Sequence, residues 1–97
     1  MAYKLSVKAE EDILHILLEG MRLFGPDQAE KYHVGLEQAF EFLAASPEAA
    51  RERVEINPTV RIHPYGSHMI VYVIKPSGDV FILRVRHGRE DWISTPI

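Results

Sequence analysis

Gly25-Pro26 separates two stretches of helical periodicity and leaves no room between them for a linker. On its N-terminal side Ala9, Ile13, Ile16, Leu17, Gly20, Leu23 and Phe24 recur three and four residues apart, which is one apolar face of a helix. On its C-terminal side Ala29, Tyr32, Leu36, Ala39, Phe40, Leu43 and Ala44 repeat the pattern. Glycine can adopt the left-handed conformation that ends a helix, and proline is pre-set for the first position of the next. Two helices so joined must lie antiparallel or steeply crossed, as a helical hairpin. Ser6 reads as the N-cap of the first helix, with Glu10, Glu11 and Asp12 near the positive end of its dipole. Ser46-Pro47 ends the second, because the residue before proline avoids the helical conformation. Gly20, on the apolar face, reads either as a point of close approach for the second helix or as a simple lapse in helix propensity.

Neither helix can bury its stripe alone, so the rest of the chain must cover them. Tyr3 to Val7 is β-prone and predicts a short first strand. Thr59 to His63 alternates like a strand with one wet face, and Pro64 to Ser67 reads as a turn. His68 to Ile74 is a near-continuous, β-branched apolar run, the pattern of a central strand. Lys75 to Asp79 reads as a hairpin connection, and Val80 to Arg86 as the last strand. Residues 48–55 are compatible with a short third helix or a loop. The predicted order is strand, helical hairpin, then a three-stranded antiparallel sheet: an α+β layer pair, β-α-α-β-β-β. At 97 residues this is one domain, 1–97, with residues 87–97 a tail that leaves the sheet.

Composition narrows the chemistry. There is no cysteine, which excludes a disulfide scaffold, a thiolate zinc site and a cysteine nucleophile. His63 and His68 span a turn without a third ligand at a standard spacing, so no metal is expected, and no cofactor-binding loop is present. The first residues do not read as a signal peptide and no run is long enough to span a membrane, so a cytoplasmic protein is expected. The net charge of −3 is uneven: residues 1–55 carry 6 Lys+Arg against 11 Asp+Glu, and residues 56–97 carry 5 against 3. An acidic total disfavours generic or sequence-specific nucleic-acid binding, which depends on Lys and Arg contacts with phosphates.

Along this frame the residues resemble the ParE-type toxins of the RelE/ParE superfamily. The resemblance runs through Tyr3, Leu5, Ser6, Ala9, Asp12, Ile13 and Ile16, then Phe24-Gly25, Gln28-Ala29, Tyr32, Leu36, Phe40, Leu43 and Pro47. It continues through Arg61, His68, Ile70 and Tyr72, and closes with Ile82, Arg84, Val85, His87, Arg89 and Asp91. No one of these is specific; their order and spacing over the chain are. The resemblance implies the toxin half of a type II toxin–antitoxin pair, neutralised by a ParD-like antitoxin in a hetero-oligomer. It implies a toxin that poisons DNA gyrase and does no covalent chemistry itself.

The expected gyrase-binding residues are Arg84, His87, Arg89, Asp91 and Trp92, with Arg61 secondary; Trp92 is the only tryptophan. Each has a purely structural alternative. Arg84, for instance, has Asp79, Glu90 and Asp91 nearby in sequence as ion-pair partners. Leu17, Met21, Leu36 and Phe40 are the candidates for an apolar antitoxin contact. The RelE branch offers a different chemistry, ribosome-dependent mRNA cleavage. There Arg61 and Arg84 would stabilise charge on phosphorus and His87 would move a proton. Against that reading stand the acidic total charge and the absence of a tyrosine after Val85.

Overall fold

The computed structural model describes residues 2–90 and Ile97. Strand β1 (Tyr3–Leu5) leads through Ser6 into helix α1 (Val7–Phe24). Helix α2 (Pro26–Ala45) follows directly after Gly25, and a single 3-10 turn, Pro47–Ala49, follows α2. Among the described residues four more strands follow: β2 (Glu52–Arg53), β3 (Val60–Tyr65), β4 (His68–Ile74) and β5 (Val80–His87).

The ends of the helices follow from their residues. The Ala9 N–H donates to Ser6 Oγ (2.9 Å), so Ser6 caps α1. Gly25 has φ +86°, its N–H closes α1 onto the Met21 carbonyl (3.1 Å), and Pro26 opens α2. Of the two readings of Gly20 the structure selects the close approach: a Cβ placed there would lie 3.3 Å from Ala29 Cβ.

The sheet has five strands rather than three, in the order β1-β5-β4-β3-β2. The three predicted antiparallel strands are its centre. β1 adds to β5 in parallel, Tyr3 opposite Val80 and Leu5 opposite Ile82. This pairing was not legible because parallel neighbours are joined by a long crossover, here the whole hairpin and three strands. Within residues 48–55, two residues form β2, opposite Val60 and Arg61. The turn before β4 is tighter than expected, because Tyr65 pairs directly with His68 across Gly66-Ser67, and Gly66 has φ +54°. Pro64 is tolerated in β3 because β2 ends short of it, so its missing N–H costs no ladder bond. β5 runs through His87, one residue beyond the predicted strand and into the expected tail, whose residues 91–96 lie outside the described residues.

Both helices cover one face of the sheet. Ala9, Leu36, Phe40 and Leu43 meet Ile70, Tyr72, Val80, Ile82 and Val85 there. The opposite face holds a smaller core of Val60, Ile62 and Val71 beneath Ile56. That second core explains why β4 is apolar on both sides. The turn end of the hairpin packs helix against helix at Gly20 and Ala29, while α1 joins the sheet-facing cluster with Ala9, Ile13 and Ile16 and with nothing beyond them. Leu23 and Phe24, predicted on the buried stripe, are therefore exposed.

Gly20→Leu is expected to force the helices apart and cost about 1–3 kcal/mol in chemical denaturation. Gly20→Ala gains helix propensity of about 1 kcal/mol against the tight contact and is expected to stay within about 1 kcal/mol of the parent.

Candidate functional site

The C-terminal half of β5 lies beyond the end of β1 and has no strand beside it on that edge. It also carries a β-bulge: Tyr72 pairs with Ile82 but Val71 pairs with Arg84, so Leu83 has no partner. The extra residue resets the alternation, which is why Ile82 and Val85 both face the helices. Arg84, opposite Val71, reaches from the open edge of β5 to α1. There Arg84 Nε and a terminal guanidinium nitrogen donate to the two carboxylate oxygens of Asp12, at 2.7 and 2.9 Å. The same carboxylate accepts the Val85 N–H (3.0 Å). Ser6 completes the edge, its N–H donating to the Ile82 carbonyl (2.9 Å) and its hydroxyl to the Leu83 carbonyl (2.6 Å). Arg84 is thus committed to a half-buried, two-pronged ion pair with Asp12, which also holds its guanidinium more firmly charged. The partner is on α1, not among the carboxylates close in sequence.

Arg61 has a similar structural duty. Its guanidinium donates to the Ala50 carbonyl (2.6 Å) and lies 3.7 Å from Glu52. It works beside Tyr72, a fully buried ring whose hydroxyl donates to the Pro47 carbonyl (2.8 Å) and accepts the Ala50 N–H (3.3 Å). Together they bind the segment after α2 to the sheet.

At the other end of β4, His87 lies opposite His68 in register, and the rings meet edge-on with centroids 5.2 Å apart. His68 Nδ1 is 2.7 Å from the Tyr32 hydroxyl. Burial, and then the neighbouring His87, holds the His68 imidazole below its ordinary pKa. His87 Nδ1 accepts the Arg89 N–H (3.1 Å). Glu90 takes the His87 N–H (3.0 Å) and pairs with Arg86 (2.8 Å); the bond to His87 first, then Arg86, lower its pKa. Arg89 is exposed. Asp91 and Trp92 lie outside the described residues. The predicted residues therefore divide: His87 and Arg89 sit together where the chain leaves the sheet, while Arg84 is clamped to α1 and Arg61 lies on β3 beside β2, bound to the segment after α2.

The expected antitoxin contacts need correction. Leu36 and Phe40 are each 1% exposed, packed in the main core, because α2 presents that stripe to the sheet. Leu17 is half-buried and Met21 exposed. The exposed apolar residues of α1 are Leu14, Leu18 and Met21, spaced four and three apart, with Val7, Leu23 and Phe24 at its ends. That second stripe was legible in the spacing but was masked by the first. Among the described residues no helix is long and apolar enough to cross a membrane, and no cluster of His, Asp or Glu could hold a metal ion.

The family model described as the ParE toxin of the type II toxin-antitoxin system parDE matches residues 3–92. This chain belongs to the ParE toxin family. Its relatives include Toxin ParE1 of Mycobacterium tuberculosis, in strains CDC 1551 / Oshkosh and H37Rv, each 38% identical over 68 residues. That stretch covers 70% of this chain and 69% of the relative. A solved chain titled as the chromosomal ParDE system of P. aeruginosa shares the fold, with a TM-score of 0.74 at 23% identity, over 90% of this chain and 95% of that one. This ParE-family chain is accordingly a toxin component of a type II toxin–antitoxin system, a context that implies an antitoxin partner.

Asp12→Asn would leave Arg84 half-buried without its counter-charge and is expected to cost about 2–3 kcal/mol, the scale of charged hydrogen bonds. In a double-mutant cycle with Arg84→Met the losses should fall well short of additive. His68 gives a pH prediction. Its folded pKa is lowered, so the unfolded chain binds the proton more readily and stability falls as pH falls through the ordinary imidazole range. His63, lowered by burial, acts in the same direction. Urea denaturation between about pH 7.5 and pH 5 should show this slope, and His68→Asn should flatten it in part.

Proposed function

We propose that this ParE-family toxin acts by binding DNA gyrase and trapping it with DNA cut, and that it performs no catalysis of its own. The observation that carries the reading is the Arg84–Asp12 clamp. A nuclease needs cations free to meet a developing phosphorane charge. Arg84 is neutralised by a carboxylate, and Arg61 is engaged by the Ala50 carbonyl and Glu52. The acidic total charge also disfavours a chain that must hold RNA on its own. What remains presented is the exit from β5, with exposed Arg89 beside His87. Arginine is among the residues that dominate protein–protein hot spots. A ParD-like antitoxin would neutralise the toxin by laying an amphipathic helix on the α1 stripe of Leu14, Leu18 and Met21.

The test mixes the protein with gyrase, relaxed plasmid and ATP. Lost supercoiling and linear DNA after protease treatment are expected, with Arg89→Ala reducing both while the fold is retained. Intact gyrase activity together with fragmented mRNA in cells would overturn the reading in favour of the endoribonuclease. For the antitoxin surface, Leu18→Glu or Met21→Glu should weaken antitoxin binding about tenfold or more, read by calorimetry. Unchanged affinity in both variants would remove that surface from the interface.

A further inference from the structure

Four elements meet where the chain leaves β5, and the polar groups there form one connected network. Tyr32 of α2 lies against Tyr65 of β3, ring centroids 5.0 Å apart, and each hydroxyl reaches the other's backbone carbonyl, at 3.1 and 3.4 Å. The fit is close. A Cβ on Gly66 would fall 2.5 Å from the Tyr32 hydroxyl, and one on Gly35 would overlap the Tyr65 hydroxyl. The Tyr32 oxygen also accepts the Ser67 N–H (3.2 Å) and lies 2.7 Å from His68 Nδ1. With its one proton given to the Tyr65 carbonyl, that oxygen has two lone pairs left for Ser67 N–H and an Nδ1–H of His68, so all its contacts are satisfied together.

The network continues into the residues after β5. The Gly88 N–H donates to the Ser67 carbonyl (2.9 Å), the Arg89 N–H to His87 Nδ1, and the Glu90 N–H to the His87 carbonyl (3.0 Å). Each of the first three residues past the sheet is therefore tied by its own amide, and two of the acceptors belong to groups braced by Tyr32 and His68.

We propose that Tyr32 and His68 are positioning residues: through Ser67 and His87 they set the direction in which the chain leaves β5 and hold exposed Arg89 in place for its target. The functional half of this rests on the gyrase reading; the structural half does not. The device uses His87 Nδ1 as the acceptor of the Arg89 N–H. His68 of β4 meets that imidazole edge-on, and Glu90 accepts the His87 N–H. Asp12 of α1 acts on the same cluster through His68.

The test uses backbone 15N relaxation on the full chain, with gyrase trapping measured in parallel. In the parent, Gly88 and Arg89 should show order parameters near about 0.8, and Tyr32→Phe should lower them below about 0.6 while Ile70 and Ile82 stay unchanged. His87→Asn offers a side-chain oxygen where Nδ1 stood, so it should keep Arg89 ordered. Should Tyr32→Phe disturb Ile70 and Ile82 as well, His87→Phe carries the same test at Arg89. Unchanged order at Gly88 and Arg89 in the folded variants overturns the proposal. Loosened amides with undiminished gyrase trapping overturn its functional half. A parent protein that never traps gyrase sinks the target reading and leaves the relaxation result to decide the structural one.

Discussion

The carboxylate of Asp12 is the contact on which the arrangement of layers depends. Strand β1 is three residues long and β5 is eight, so more than half of β5 would present an open edge. An open edge carries unpaired N–H and carbonyl groups that must find partners. Here the beginning of α1 supplies them. Ser6 caps the helix and bonds the Ile82 and Leu83 carbonyls, and Asp12 takes the Val85 N–H together with Arg84. The bulge at Leu83 returns Val85 to the core, and Arg84 reaches Asp12 from the open edge beside it. Helix and sheet are thereby joined by polar bonds of fixed geometry as well as by apolar packing, which alone would allow sliding.

That junction bears on function through what it consumes. A cationic side chain can stabilise a phosphate or dock on a partner only if its charge is available. Arg84 and Arg61 spend theirs inside the fold, on Asp12 and on the segment after α2. The exit from β5 differs in kind. Its backbone is tied residue by residue, and its arginine at position 89 is exposed. A rigid platform with an exposed cation suits recognition better than proton transfer, and it agrees with membership of a toxin family.

The bounds of the helical hairpin were legible because their signals are local: a serine cap, a glycine–proline junction, a serine–proline stop and a regular stripe. The three central strands were legible for the same reason. The parallel pairing of β1, the two-residue strand β2 and the bulge at Leu83 were not, since each depends on a partner tens of residues away. The binding candidates fared according to the same rule. Leu36 and Phe40 lay on an apolar stripe, and periodicity cannot say whether such a stripe faces a sheet or a partner. Arg84 had carboxylates near it in sequence, yet its partner came from 72 residues earlier.

By itself the sequence determined which segments are helical, where they stop, which strands are apolar on both faces, and that no thiol chemistry is available. These follow from residue-by-residue preferences and short periods. Only the tertiary structure decided which charges are free. Packing α1 along β5 placed Asp12 against Arg84, and folding α2 over the β3–β4 turn placed Tyr32 against His68. An ion pair or a hydrogen bond is short-ranged and directional, so its existence is set by the final distance between groups and not by their separation along the chain.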